Sequence, residues 1–282
     1  MIQYCYLGRM EYDAALRLQE ELVELRRDER IGNVLLLLEH PPVLTLGRHA
    51  NRANVLASDD LLASRGVTLH QINRGGDVTY HGPGQLVGYP IFDLRSFERA
   101  GSGRMGPVDF VREMEEALIR LCAVFGVRAG RIAGLTGVWV PGEDGTLETS
   151  ARKIGALGIH VSRGITSHGF AFNVTTDLRD FQLINPCGIT DRPVTSLERE
   201  APCPATLPDL EAIADEAARQ FGNVFKQPVV AVGTVDELLA HASQAAPAED
   251  PARRAFPAED TPLQVPDELQ RLRGDGSRIE RV

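Results

Sequence analysis

The sequence predicts a single domain of the α/β class, or α+β class, built on a mixed sheet. Amphipathic helical segments alternate with apolar or alternating segments typical of strands along the first 240 residues. Hydrophobic residues make up 43% of the chain and charged residues 24%, which is the balance of a globular protein. The interleaving of the two kinds of segment indicates helices packed on a sheet.

The first half of the chain carries two predicted helices and two predicted strands. Tyr12–Arg27 has apolar residues at helical spacing, followed by a glycine stop. Val34–Leu38 is a continuous apolar run, as expected of a buried central strand. Ser58–Arg65 fits a short helix because a serine can cap its start and a glycine follows its end. Val67–Ile72 then alternates like a strand.

The second half continues the same alternation. A strongly amphipathic helix is predicted from Pro107 to Gly126, since proline suits the first helical turn and glycine the end. Val138–Val140 is a short predicted strand. Lys153–Val161 and Ile165–Asn173 are predicted to be two strands joined by a tight turn. Leu210–Phe221 completes the series as a helix.

Residues 241–282 differ in composition from the rest of the chain. Their only aromatic residue is Phe256, and the sequence Pro-Ala-Glu-Asp occurs at both Pro247–Asp250 and Pro257–Asp260. Such a segment buries too little apolar surface to offset the entropy of ordering it. We therefore predict a functional domain over residues 1–240 and a flexible, disordered tail over residues 241–282.

Charge and cysteine content exclude several classes of function. With 30 basic and 39 acidic residues the net charge is −9, which argues against nucleic acid or an anionic membrane as a partner. No apolar stretch is long enough for a membrane span, and the N-terminus lacks a signal-peptide pattern. The four cysteines are widely spaced and form no metal-binding motif. A cytoplasmic protein with no metal site is expected.

Arg74–Pro90 is the segment richest in functional signals. It holds five glycines and two prolines in 17 residues, together with Arg74, His81 and two tyrosines. Glycines let the backbone approach a ligand closely, and the surrounding side chains suit a ligand with an apolar body and a polar head. The alternative is an ordinary β-hairpin rich in turns.

Cys187 and Lys153 are candidate reactive residues. Cys187 lies between a proline and a glycine, in a bend that could hold its thiol at the mouth of a site. A lone cysteine becomes a nucleophile only where a neighbour stabilises the thiolate. Only two of the 30 basic residues are lysines: Lys226 follows a helix and is expected on the surface, whereas Lys153 opens an apolar strand. A lysine can stabilise a thiolate and also transfer a proton, which arginine cannot do.

With these residues in place, the sequence resembles the lipoyl(octanoyl) transferase family. The family signature R-G-G-x-x-T-[aromatic]-H-G-P-G-Q-x-x-x-Y-P is matched at every fixed position by Arg74–Pro90. The other family motifs are matched by His40–Arg48, Lys153–Gly158, His168–Val174 and Asn185–Gly188. The resemblance covers about residues 1 to 230.

The resemblance implies transfer of an octanoyl group from octanoyl-acyl carrier protein to a specific lysine of lipoyl domains, in lipoate biosynthesis. The implied acceptors are the E2 subunits of 2-oxoacid dehydrogenases and the glycine cleavage H protein. Cys187 would form the acyl thioester and Lys153 would lower the pKa of its thiol, with no cofactor. The implied fold is the single catalytic domain shared with the biotin and lipoate protein ligases. The implied substrate site comprises Arg74, Gly75, Gly76, Asp77, Val78, Thr79, Tyr80, His81, Ala156, Leu157, Gly158, Gly169, Phe170 and Ala171.

Two alternatives stay open on the sequence. An ATP-dependent lipoate or biotin ligase would use a lysine at the Lys153 position and would need no cysteine, so Cys187 favours the transferase. A non-catalytic acyl-binding module would need neither residue as a reactive group. Because both implied protein partners are typically acidic, we also expect a local arginine cluster to dock them. Its expected members are Arg48, Arg74, Arg152 and Arg163.

Overall fold

The computed structural model describes residues 1–97, 103–186 and 192–242. For residues 241 and 242 it describes the backbone but not the side chains. The strands are β1 (Ile2–Arg9), β2 (Asn33–Glu39), β3 (Val43–Leu46), β4 (Thr68–Gln71), β5 (Val78–His81), β6 (Gln85–Ile91), β7 (Gly130–Ile132), β8 (Leu135–Val140), β9 (Arg152–Ser162), β10 (Ile165–Asn173) and β11 (Val229–Ala231). The α-helices are α1 (Tyr12–Arg27), α2 (Asp59–Ser64), α3 (Pro107–Val124), α4 (Leu197–Glu200), α5 (Leu210–Phe225) and α6 (Val235–Ala242).

The main sheet is mixed, as predicted. Its eight strands follow the order β11-β1-β2-β6-β10-β9-β8-β7. β11, β1 and β2 run parallel to one another, and the remaining neighbours are antiparallel. The predicted α/β class with a mixed sheet is therefore confirmed.

Helices cover both faces of the main sheet and create two apolar cores. Leu35 and Leu37 of β2 point into the core beneath α3 and α5, whereas Leu36 and Leu38 point into the core beneath α1 and α6. All four side chains are fully buried. This explains why β2 reads as an unbroken apolar run, since a strand covered on both faces needs no polar side.

Most predicted elements occur where the sequence places them, and the largest difference is at the end of α5. This helix continues four residues past the predicted end at Phe221, through Gly222, to Phe225. The Phe225 ring packs 5.7 Å from that of Phe221 and also contacts Phe92 and Phe110. Tertiary packing therefore outweighs the low helix propensity of Gly222. Lys226 then ends the helix on the exposed surface, as predicted.

The glycine-rich segment does not form the hairpin considered as its alternative. β5 pairs with β3 in a small sheet of order β4-β3-β5, whereas β6 pairs with β2 and β10 in the main sheet. The turn between β5 and β6 therefore carries the chain from one sheet to the other. Gly84 in this turn has a φ of +78° and lies against Thr175. The two sheets diverge from this point.

The predicted boundary at residue 240 falls inside α6, which ends at Ala242. Residues 243–282 lie outside the described residues, so the flexible tail stays a prediction. No helix within the described parts of the chain is both long and apolar enough to cross a membrane.

Replacing Gly84 by alanine should destabilise the protein more than replacing Gly134. Both glycines have a φ of +78°, but a Cβ on Gly84 would lie 2.5 Å from Thr175 Oγ1, whereas nothing lies within 4 Å of one on Gly134. Urea unfolding should show a loss of about 1–2 kcal/mol for Gly134→Ala from backbone strain. The loss for Gly84→Ala should exceed this by at least about 1 kcal/mol because of the clash. Equal losses would mean that the close packing of the turn is unimportant.

Candidate active site

A cleft lies where the small sheet faces β9 and β10 of the main sheet. The space between them, counted together with the open solvent at its mouth, is about 480 Å³. It is lined by Tyr12, Ile72, Arg74, Gly76, Thr79, His81, Tyr89, Ala156, Leu157, Gly158, His168, Gly169, Phe170 and Ala171. Ten of the fourteen substrate residues expected from the sequence line this cleft.

The other four expected residues lie outside the cleft lining. In β5 the side chains alternate, so Thr79 and His81 line the cleft while Val78 and Tyr80 pack in the core of the small sheet. The Tyr80 hydroxyl donates to Asp180 at 2.8 Å. The two-residue period of the strand separates these pairs. All four were expected at the site because the resemblance implies the continuous stretch Arg74–His81, without regard to strand alternation.

Gly75 and Asp77 support the loop before β5. The Gly75 amide donates to the Ile159 carbonyl at 2.9 Å, which ties the loop to β9. The Asp77 carboxylate accepts hydrogen bonds from the Asn51 amide, at 3.1 Å, and from the Asn54 side chain. These two residues therefore shape the wall of the cleft from behind it.

A second cavity surrounds Lys153 and adjoins the cleft. Its empty volume is about 310 Å³. It is lined by Thr79, Gln85, Lys153, Gly155, Ala156, Ala171, Asn173, Phe181, Pro186 and Val194. Thr79, Ala156 and Ala171 line both spaces, so the two lie directly next to each other.

A β-bulge brings Lys153 to the cavity side of β9. Val138 of β8 pairs with Gly155, but Trp139 pairs with Lys153, so Ile154 is an extra residue in β9. Ile154 packs in the core under α3, and a Cβ on Gly155 would also face core side chains. In a regular strand Lys153 would share the face of Gly155. The bulge instead places Lys153 beside Ala156 on the cavity wall.

Lys153 is 8% exposed and its backbone is tied to the segment that follows residue 191. Its amide donates to the Pro193 carbonyl, and its carbonyl accepts from the Thr195 amide, each at 2.9 Å. Its Nζ lies 4.7 Å from the centre of the Trp139 ring. Lys153 is thus buried at a cavity. Hydrogen bonds fix its backbone, and its ammonium group lies against the Trp139 ring.

Cys187 lies outside the described residues, together with residues 188–191. The described chain on both sides of it reaches the Lys153 cavity, since Pro186 and Val194 line that space. Cys187 is bonded to Pro186, and consecutive Cα atoms are about 3.8 Å apart.

A buried hydrogen-bond network links the cleft to the Lys153 backbone. The sequence analysis identified His81, but it missed the roles of Gln85 and Asn173. His81 Nδ1 lies 2.8 Å from Gln85 Oε1, so Nδ1 carries the proton of a neutral imidazole. The Gln85 amide donates to Asn173 at 2.9 Å, and the Asn173 amide donates to the Thr195 carbonyl at the same distance. The available signal was the presence of Gln85 and Asn173 inside motifs otherwise rich in glycine and apolar residues.

Three buried histidines at the cleft are neutral at physiological pH. Burial lowers the pKa of His40 to about 4 and of His81 to about 3, with His40 adding to the effect on His81. Burial, followed by the nearby Arg74 guanidinium, lowers the pKa of His168 to about 3. At neutral pH these side chains therefore serve as uncharged hydrogen-bonding groups: His81 and His168 in the cleft lining, and His40 behind it.

The expected arginine cluster is not formed. Arg74 is buried and donates to the Thr45 carbonyl at 2.6 Å, so it is part of the scaffold. Arg152 is paired with Glu200 at 2.7 Å. Arg152 begins β9 and Arg163 follows its end, which separates them by roughly 35 Å at about 3.3 Å per strand residue. The prediction of one docking cluster was wrong because sequence cannot show which arginines meet.

Solved structures with the same fold are lipoate protein ligases. A bipartite lipoate protein ligase from Thermoplasma acidophilum superposes with a TM-score of 0.62 at 16% identity, covering 86% of this chain and 91% of the ligase. A lipoate-protein ligase A bound with ATP has a TM-score of 0.60 at 16% identity, covering 86% and 93%. Identity this low establishes the fold alone.

The family follows from the sequence comparison. Residues 11–221 match the model of the lipoyl protein ligase A/B catalytic domain, and the chain belongs to that family. The octanoyltransferase of Acidobacterium capsulatum is 61% identical over 241 residues, covering 85% of this chain and 96% of the relative. That of Koribacter versatilis is 46% identical over 275 residues, covering 98% of each. The resemblance read from the motifs is confirmed.

Replacing His40 should make the stability of the protein less sensitive to acid. Because the folded pKa of about 4 lies below the unfolded value of 6.5, the stabilisation by neutral His40 is complete above pH 6.5 and is lost as the pH falls towards 4. In His40→Gln, the slope of the unfolding free energy between pH 6.5 and 4.5 should fall by up to about 1.4 kcal/mol per pH unit. Urea unfolding at several pH values measures this slope. The exposed His49→Gln is the control, and equal slopes in both variants would contradict the assignment.

Proposed function

We propose that this chain is an octanoyltransferase of lipoate biosynthesis that moves an octanoyl group from octanoyl-acyl carrier protein to a lysine of lipoyl domains, in the cytoplasm. The observation that carries the proposal is the match to octanoyltransferases at 61% and 46% identity over most of the chain. The ligase fold supports lipoyl-domain acceptors, since the Thermoplasma ligase is described with its E2 lipoyl domain. The proposed acceptors are the 2-oxoacid dehydrogenase E2 subunits and the glycine cleavage H protein. We assign catalysis to residues 1–240.

The proposed nucleophile is the Cys187 thiolate, with Lys153 as its partner. Support comes from the burial of Lys153 at a cavity whose lining includes Pro186, the residue bonded to Cys187. An ammonium group beside a thiol favours the thiolate. The same group can release and regain a proton as the reaction proceeds, because lysine, unlike arginine, gives up its proton.

The first half-reaction forms an acyl-enzyme. The Cys187 thiolate attacks the thioester carbonyl of the donor, and the bond from that carbonyl to the carrier sulfur breaks. The departing thiolate takes a proton from the Lys153 ammonium and leaves as a thiol. The enzyme then holds an octanoyl thioester on Cys187 and a neutral Lys153 amine.

The second half-reaction releases the product. The amine of the acceptor lysine attacks the acyl-enzyme carbonyl, the bond to the Cys187 sulfur breaks, and an amide forms. Neutral Lys153 takes the proton that the attacking amine loses, which restores the original thiolate and ammonium. Each half-reaction exchanges one acyl bond for another, so no ATP is consumed.

The cleft supplies a place for the acyl chain. A chain attached in the Lys153 cavity would pass Thr79, Ala156 and Ala171, which line both spaces, and enter the larger cleft. Each buried methylene contributes about 0.8 kcal/mol to binding. The small side chains of Ala156 and Ala171 leave room for the chain, and the side chains of Leu157 and Phe170 offer apolar contacts to it.

Intact-mass spectrometry after incubation with octanoyl-acyl carrier protein tests the proposal. The protein should gain the mass of one octanoyl group without ATP, and Cys187→Ala should abolish the adduct because the nucleophile is gone. Cys203→Ala is the matched control, since Cys203 is an exposed free cysteine away from both cavities. An adduct that persists in Cys187→Ala would show that Cys187 is not the nucleophile. Transfer activity that survives in Cys187→Ala and requires ATP would instead favour a ligase. The absence of any adduct would favour a binding module.

Lys153→Arg should slow octanoyl transfer to a lipoyl domain by at least about 100-fold, which is the usual contribution of a positioned proton-transfer group. Arginine keeps the positive charge but does not release its proton. The control is Lys226→Arg, which changes the exposed lysine and should leave the rate unaltered. Steady-state rates with both substrates saturating provide the measurement. Full activity of Lys153→Arg would show that only a positive charge is required.

A further inference from the structure

The single tryptophan of the chain lies beside Lys153. Trp139 in β8 is 1% exposed, and its ring has two cations within about 6 Å of its centre. The Lys153 Nζ is 4.7 Å from the ring centre and the Arg192 Cζ is 5.8 Å from it. A cation at this distance from an indole face is attracted by the ring quadrupole, and tryptophan is the strongest of the aromatic side chains in this respect.

The backbone that carries Trp139 is anchored two residues earlier. The Gly137 amide donates to Glu115 of α3 at 2.9 Å, and that carboxylate is fully buried. Arg112 and Arg131 donate to the other oxygen of Glu115 at 2.7 and 3.1 Å. A helix in the core therefore sets the position of β8 at the level of the candidate site.

Because Gly137 has no side chain, it also leaves room for the side chain of Lys153. A Cβ at this position would lie 3.0 Å from Lys153 Cε and 2.9 Å from the Gly155 carbonyl oxygen. The lysine stem is thus confined between β8 and the Trp139 ring. Its ammonium has little freedom to move away from the cavity that it lines.

Arg192 supplies the second cation near the Trp139 ring. It is the first described residue after 187–191, five positions beyond Cys187. Its guanidinium donates to the carbonyl oxygens of Leu147 and Glu148, at 3.3 and 2.9 Å. These bonds hold the end of the Cys187 segment next to the same ring that Lys153 contacts.

We propose that Trp139 is a positioning residue that gathers the Lys153 ammonium and the Arg192 guanidinium on one aromatic ring, next to the cavity that Pro186 lines. This inference rests on the proposed function. Two cations placed together would repel each other, and the ring quadrupole offsets part of that repulsion. The concentrated positive potential favours the Cys187 thiolate over the thiol. Trp139 acts through these two groups and does not contact the acyl chain.

The pH dependence of Cys187 alkylation tests this role. All variants carry Cys203→Ala, and the rate of iodoacetamide addition is followed by intact mass between pH 5 and 10. The midpoint should rise by about 0.5–1 pH unit in Trp139→Leu, which removes the aromatic face. Trp139→Phe, which keeps an aromatic face, should recover part of the shift. Arg192→Gln should raise the midpoint as well. Because this change does not alter the apolar core, it still tests the proposal if Trp139→Leu folds poorly.

Phe110→Leu is the matched control for loss of a buried aromatic ring. Phe110 is fully buried in α3, away from both cavities, so its replacement should lower the melting temperature without moving the alkylation midpoint. An unchanged midpoint in both Trp139→Leu and Arg192→Gln, or an equal shift in Phe110→Leu, would overturn the proposal.

Lys153→Met separates this inference from the proposed function. If the alkylation midpoint of Lys153→Met equals that of the parent protein, Lys153 does not stabilise the Cys187 thiolate. The proposed role of Trp139 is then wrong as well. If Lys153→Met shifts the midpoint but the Trp139 and Arg192 variants do not, only the positioning role is wrong. Because Trp139 is the only tryptophan, its fluorescence reports the contact directly. The emission maximum should move in Lys153→Met and stay in place in Lys226→Met, and an unmoved maximum in both would contradict the contact.

Discussion

The extra residue in β9 determines the direction in which the candidate catalytic lysine points. Side chains of a strand alternate between two faces, and in an undisturbed β9 Lys153 would face the same core as Gly155. At the bulge, Ile154 is the extra residue of β9 and is not paired with any residue of β8. Lys153 consequently reaches the cavity wall while Ile154 fills the apolar core. A charged side chain in that core would be strongly unfavourable, so packing and site geometry require the same bulge.

The divergence of two sheets creates the space in which a substrate would lie. β5 belongs to the small sheet and β6 to the main sheet, although only three residues separate them. The tight turn at Gly84 makes this change of sheet possible because it packs against Thr175 without a side chain of its own. The cleft is walled on one side by β5 and on the other by β9 and β10. His81 of the cleft is paired with Gln85, and Gln85 is paired with Asn173; these last two residues line the adjoining Lys153 cavity. Because these polar groups are hydrogen-bonded to one another, an apolar ligand can pack against them without leaving any of them without a hydrogen-bond partner.

Much of this protein could be predicted from its sequence. The helices at Tyr12 and Pro107, the apolar run of β2 and the β9–β10 pair follow from periodicity, because helices and strands repeat at different intervals. The family follows from five motifs, and ten of the fourteen expected substrate residues line one cleft. Lys153 was identified by composition, as one of only two lysines among 30 basic residues, and by its place at the start of an apolar strand; it is buried at a cavity.

What the sequence by itself determined is therefore the kind of element at most positions, the family and the identity of the candidate reactive residues. The tertiary structure decided which side chains face one another. It separated Thr79 and His81 from Val78 and Tyr80, paired Arg152 of the expected arginine cluster with Glu200, and placed Trp139 against Lys153. The physical reason is that periodicity is a local property of the chain. A bulge, a change of sheet and a contact between distant strands depend on long-range packing, which no local pattern records.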